Sequence, residues 1–217
     1  MTSHPESASC PTSEKPYHHG DLRRQILDEA ARLLREEGEA GLSMRKLAQN
    51  LGVSRTAPYH HFADKQALLC GIAEEGFRRL REVVRTPPYI EGAEISEAAV
   101  RVFVRRYVQF SIDNAEYYEL MFGARLWKSQ QLTESLTVEA HNAFKVYIEQ
   151  IRVWQQSIRN PNIDPLRFAQ VSWSTLHGMS RLLIDGIYLD ATAINVMSDT
   201  AAKMFWQQLC PPSQVVS

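Results

Sequence analysis

The chain has 217 residues, 44% of them hydrophobic and 23% charged, with 24 Lys and Arg against 25 Asp and Glu for a formal net charge of −1. That length buries roughly 70% of the unfolded surface and accommodates one large or two small domains. The near-zero charge excludes a chain-wide polyanion-binding surface, so affinity for nucleic acid has to come from local patterning. Three cysteines, Cys10, Cys70 and Cys210, lie far apart with no Cys-x-x-Cys pair, which argues against a disulfide framework and a zinc site. No apolar run approaches the roughly 18 residues of a membrane span, and the N-terminus lacks an apolar signal core. A cytoplasmic protein with no membrane partner is expected.

Residues 1–16, rich in Ser, Pro and Glu, read as a flexible tail, because they cannot bury enough surface to order themselves. A helix follows from Asp21 to about Glu37, with Ile26, Leu27, Ala30, Leu33 and Leu34 on one face and Gly38 as its stop. Ser43 is a natural N-cap for the next helix, whose Met44, Leu47, Ala48 and Leu51 recur at i, i+3, i+4 and i+7. Gly52 can take the left-handed conformation that closes a helix, which turns the chain at once and lets Val53 fall back into the core. Ser54 is then expected to cap a second helix, Arg55 to about Phe62, anchored by Phe62.

That second helix shows Arg55, Thr56, Tyr59, His60 and His61, all able to hydrogen-bond phosphates or base edges. The pattern over 43–62 is a helix-turn-helix, so the chain is expected to read double-stranded DNA. Arg45, Lys46, Arg55 and Lys65 against Asp64 supply the local positive patch. Arg45, Arg55, Thr56 and His60 are candidates for base edges, and Ser54, Tyr59, His61 and Lys65 for phosphates. Ser43 and Ala57 complete the candidate DNA-binding set.

A linking helix is expected from Asp64 to Arg85, with Leu68, Leu69, Ile72, Ala73, Leu80 and Val84 on its buried side; Thr86-Pro87-Pro88 ends it and marks a domain boundary. Long helical stripes then recur: Val100 to Ser111, Ala140 to Ile151, Phe168 to Leu183 and Ile194 to Leu209. Breaks fall at Asn114, Gly123, Asn160-Pro161 before Asp164-Pro165, and Asp185-Gly186. The fold class is all-α. A three-helix helix-turn-helix domain over 17–85 includes the linking helix, a helical bundle occupies 86–210, and 211–217 is a flexible tail.

The helix from Ile95 to Asn114 is apolar almost all round, since Val102 and Phe110 lie off its main stripe, so it is expected to be enclosed by other helices and to wall a cavity. Candidate pocket residues are Phe103, Tyr107, Phe110, Met121, Phe122, Trp127, Phe144, Tyr147, Trp173 and His177. The bland alternative for such a stripe is plain core. His177 reads equally well as a core histidine satisfied by a carbonyl or hydroxyl and as a polar contact to a ligand. Gly178 inside a helix costs roughly 1 kcal/mol relative to alanine, so close approach of another helix or a ligand is the expected compensation.

Three features together, the helix ending at Gly38, the helix-turn-helix, and the run Tyr59-His60-His61-Phe62-Ala63-Asp64-Lys65, resemble the tetracycline-repressor-like family of transcriptional regulators. Pro58 departs from that family's pattern, which usually carries an aliphatic residue there; a proline so early in a helix is expected only to adjust its first turn. Trp173-x-x-x-His177-Gly178 resembles the signature of one regulatory-domain subgroup. The resemblance implies a homodimer paired through the last two helices, a palindromic or pseudo-palindromic operator, and a repressor released by a small-molecule effector. An activator, or a regulator that answers to no small molecule, fits the same pattern. Dimerisation also has an independent motive, since two copies can read half-sites about one helical turn, roughly 34–36 Å, apart.

An all-α enzyme is the alternative from another class. His18-His19 and His60-His61 are adjacent pairs that point about 100° apart on a helix and cannot easily share a metal. There is no His-x-x-x-His, no Gly-x-Ser-x-Gly elbow, no phosphate-binding glycine loop and no Glu-x-x-His. No catalytic residue, metal or cofactor is expected.

Overall fold

The computed structural model describes residues 19–85, 95–129, 131–188 and 191–211. Among these the regular elements are all helices. The expected tail over 1–16, the Thr86-Pro87-Pro88 boundary, Cys10 and residues 212–217 lie outside the described residues.

Helix α1 (His19–Gly41) buries Ile26, Leu27, Ala30 and Leu33. Its helical path breaks where the sequence placed the stop, at Gly38, whose φ of 67° and ψ of −174° suit glycine alone. A further turn continues to Gly41. Helix α2 (Met44–Asn50) starts at Ser43, whose hydroxyl accepts from the Lys46 amide at 3.2 Å. It ends in a Schellman arrangement around Gly52 at φ 66°, where the Gly52 amide donates to Gln49 and the Val53 amide to Ala48.

The expected second helix over 55–62 is corrected by the structure. Only a 3₁₀ turn, Ala57–His60, forms. Pro58 has no amide hydrogen to give an α-helical bond to Ser54, and the surrounding amides, Ala57 to Ser54 and Tyr59 to Thr56, close i to i+3 rings instead. Ser54 does not cap with its side chain either. Its hydroxyl lies 3.1 Å from that of Thr56, the residue that precedes the turn. Pro58 itself is buried.

Helix α3 (Lys65–Arg85) is the linking helix. Asp64 caps it by accepting from the Ala67 amide at 2.8 Å, and Leu68, Ile72, Ala73, Phe77, Leu80 and Val84 face inward. Phe62 is seated against this helix at Gly71, where a Cβ would lie 2.5 Å from the ring.

The remaining elements are α4 (Glu97–Asp113), α5 (Ala115–Phe122), α6 (Ala124–Trp127), α7 (Glu134–Ile158), α8 (Pro165–Ile184) and α9 (Ala191–Leu209). Ser96, Thr133 and Asp164 cap α4, α7 and α8. Helix α4 packs on α8 and α9, and α7 packs on α3 and α8. The bundle core centres on Tyr107, Tyr118, Tyr147 and Trp154, all essentially inaccessible. Helix α4 is not enclosed all round as its composition suggested. Phe110 is buried but Val102 is 40% exposed, so one flank of α4 meets solvent in the single chain.

Polar contacts tie α1 to the bundle. Arg35 pairs with Glu116 and Arg125 with Glu39. Asp28 accepts from Arg79 at 2.5 Å and from the Tyr117 hydroxyl at 3.0 Å.

Candidate DNA interface and effector groove

Ser43, Arg45, Ser54, Arg55, Thr56, Tyr59 and His60 are exposed, while Ala57, His61 and Lys65 are half-buried. The Schellman turn and the Phe62 anchor bring this set together around the start of α2 and the 3₁₀ turn. Tyr59, 54% exposed, has no core role. The cations divide into two kinds. Lys46 pairs with Glu37, and Lys65 donates to the Glu39 carbonyl at 2.6 Å, bracing the chain just after the Gly38 break. Among the described residues Arg45 and Arg55 make no ion pair, so their guanidinium groups stand ready for an anion or a base edge.

The bundle holds an open groove of about 630 Å³. Of the ten candidate pocket residues, Met121, Phe122, Trp127, Phe144 and Trp173 line it. Phe77, Ala140, His141, Gln170 and Ser174 complete the lining and were not anticipated. Phe77 was legible, since it continues the linking-helix stripe between Ala73 and Leu80 at helical spacing. Phe103, Tyr107 and Tyr147 do not line the groove. They are core, with Phe103 edge-on to Trp154 at 4.9 Å and the Tyr147 hydroxyl donating to Ser172 at 3.0 Å. Phe110 faces a separate shallow depression with Val83 and Arg106.

His177 stands behind Phe122, 4.5 Å between ring centroids, and stacks on Tyr118. Its Nδ1 lies 2.9 Å from the Tyr118 hydroxyl, which lies 3.2 Å from that of Tyr107. Tyr118, missed in the sequence, is the hub of this network; burial pushes its pKa up to about 12. Burial, with Arg181 adding to it, holds His177 below the usual histidine range. The unfolded chain therefore takes up this proton first as pH falls. Stability is expected to be flat above about pH 6.5 and to decline as pH drops below it. Denaturation midpoints across that range should show a shallower decline in His177→Gln, and an unchanged slope would contradict this account. A Cβ added at Gly178 would meet nothing within 4 Å, so the expected close approach is not made within the chain.

Among the described residues no helix is long and apolar enough to cross a membrane, and no group of three or more His, Cys, Asp or Glu could hold a metal.

With this geometry in place, similarity to known proteins is consistent across the chain. Residues 26–70 match the tetR family of bacterial regulatory proteins, and residues 100–204 match a tetracyclin repressor-like C-terminal domain. The latter match does not single out the Trp-x-x-x-His-Gly subgroup. The transcriptional repressor AcnR of Corynebacterium diphtheriae is 39% identical over 69 residues, covering 32% of this chain and 36% of that protein. The matching stretch thus spans about a third of that relative's length. A Rhodococcus sp. RHA1 protein of unknown function is 33% identical with a TM-score of 0.74, covering 91% of this chain and all of that one. PfmR, a TetR family transcriptional regulator from Thermus thermophilus, shares the fold at 20% identity and a TM-score of 0.57, covering 83% and 96% of the two chains.

Proposed function

We propose, from the premise that this chain belongs to the tetR family of bacterial regulatory proteins, a family of DNA-binding transcriptional regulators, that it works as a homodimeric repressor which leaves its operator when a small molecule binds. In this reading 17–85 is the DNA-reading domain, 86–210 the regulatory and dimerisation domain, and the protein acts in the cytoplasm. The chemistry is recognition throughout, with no catalytic step assigned to any residue.

The observation that carries the DNA-reading part is the exposed set of Arg45 on α2 with Arg55, Thr56, Tyr59 and His60 at the 3₁₀ turn, both arginines being free of ion pairs among the described residues. Support for release comes from Phe77. It belongs to α3, the helix that begins directly after the reading element, and it also forms part of the groove wall. Gly76 beside it lets Met121 of α5 sit close, since a Cβ there would lie 2.5 Å from the Met121 sulfur. A molecule seated in the groove therefore bears on the linking helix without an intermediary, and favours whichever α3 position gives it the better contacts. Typical coupling of this kind is about 1–3 kcal/mol.

Arg55→Ala should cost about 1–3 kcal/mol of operator affinity and relax specificity at one base pair, whereas Tyr59→Phe should weaken all sequences alike. Gel-shift titration on the operator and on single-base variants separates the two. Unchanged affinity in both variants would remove this turn as the reader.

A further inference from the structure

Resting on the reading of the groove as the effector site, we infer that its ligand is an uncharged, planar aromatic molecule carrying a hydrogen-bond acceptor such as a ketone. Two ring clusters from different helices line the groove. Phe77 meets Phe122 at 5.4 Å and 73°, and Phe144 meets Trp173 at 5.2 Å and 73°. Both are backed by further rings, so the walls present ring faces and ring edges together, and they favour a ligand that offers faces and edges of its own. The volume, about 630 Å³, leaves ample room for a molecule of two or three fused rings.

Charge decides the rest of the class. Among the described lining residues there is no Asp, Glu, Lys or Arg. A carboxylate or an ammonium entering the groove would lose hydration and meet no full opposite charge among the lining residues, the Arg167 guanidinium at the edge being engaged by the Gln170 side-chain oxygen. Aromatic faces attract cations, yet no carboxylate flanks these rings to complete such a site.

We assign polar recognition to Gln170, which shares the lining with other polar groups, exposed His141 and the Trp173 indole N–H among them. The tyrosine hydroxyls behind the groove are engaged: Tyr118 with Tyr107 and His177, and Tyr147 with Ser172. The Ser174 hydroxyl donates to the Gln170 carbonyl at 2.8 Å, so its hydrogen is also in use. The Gln170 side-chain oxygen accepts from Arg167 at 2.9 Å on the exposed rim, which orients the amide and leaves its NH₂ without a partner among the described residues. A donor oriented at the groove edge selects an acceptor on the ligand.

The test is equilibrium dialysis of the full chain at pH 8 against four matched probes: naphthalene, 2-acetylnaphthalene, 2-naphthoate and (2-naphthylmethyl)trimethylammonium. We expect saturable binding of the two neutral probes, the ketone being tighter, and at least about tenfold weaker binding of both ions. Gln170→Leu should weaken the ketone about two- to twelvefold and leave naphthalene unchanged. Trp173→Ala should weaken both neutral probes, with thermal melts confirming that each variant is folded. Either ion binding as tightly as the ketone, or Gln170→Leu leaving the ketone unaffected, would overturn the ligand class while the effector groove stood. Binding of none of the four would overturn the ligand class as well.

Discussion

Phe62→Ala is expected to cost about 3–5 kcal/mol of folding stability and to abolish operator binding. Phe62 is 4% exposed and seated in the notch that Gly71 leaves in α3, with the Arg23 guanidinium 5.3 Å from its ring centroid. The reading element it anchors is only a four-residue 3₁₀ turn, Ala57–His60, with no side-chain cap. So short an element has little stability of its own, and its position against α3 depends on the ring. Alanine would leave a cavity that the rigid helix cannot close. Urea denaturation measures the loss. Tyr59→Phe serves as the control, since Tyr59 is exposed and its hydroxyl is expected to matter to DNA but not to folding. A Phe62→Ala protein destabilised by less than about 1 kcal/mol, well under the usual cost of such a truncation, would show that the turn is held by something else.

The paired substitution Val171→Asp with Met204→Asp should yield a folded monomer whose operator affinity is lower by about a hundredfold or more. Val171 on α8 is 68% exposed and Met204 on α9 is 58% exposed. Both line one groove between these helices, of about 550 Å³, alongside Phe168. Large apolar side chains gathered on one surface signal a partner, and here the proposed partner is a second copy. Placed on the surface of a single chain the two aspartates are solvated and cost little; placed in a subunit interface they are desolvated without a counter-charge. Loss of the dimer halves the base contacts made in one binding event, each worth about 1–3 kcal/mol. Sedimentation velocity at micromolar concentration reads the mass directly, and a dimer that survives both charges would move the interface elsewhere. Phe205, on the apolar stripe of α9, is buried within the chain at 7% exposure and meets Phe168 edge-on.

What the sequence revealed were features enforced locally. Ser43 and Gly52 specify their cap and turn through their own side chain and backbone, and apolar spacing finds buried stripes because burial follows helical geometry. What it hid depended on partners distant in the chain. Pro58 was visible, but whether the segment becomes an α-helix with an adjusted turn or a 3₁₀ turn is decided by its burial and the seat at Gly71. The aromatic stripes were visible too, yet Tyr107, Tyr147 and Phe103 became core while Phe144 and Trp173 became groove wall, a division set by how the helices cross. Val102 fits a buried helix by composition and is exposed by position. The pairing of Tyr118 with His177 spans 59 residues and left no local signal.

Two copies of one exposed turn are proposed to read a two-fold symmetric DNA site, and everything assigned to the reading domain depends on this. Selection of binding sites from randomised duplexes by the full-length protein tests it most directly, because base preference, symmetry and spacing emerge together. The predicted result is an inverted repeat with half-sites about one helical turn apart or a multiple of it, with enrichment of one position lost in Arg55→Ala. Recovery of no enriched sequence, or of a single asymmetric site bound equally well by the Arg55→Ala protein, would contradict it.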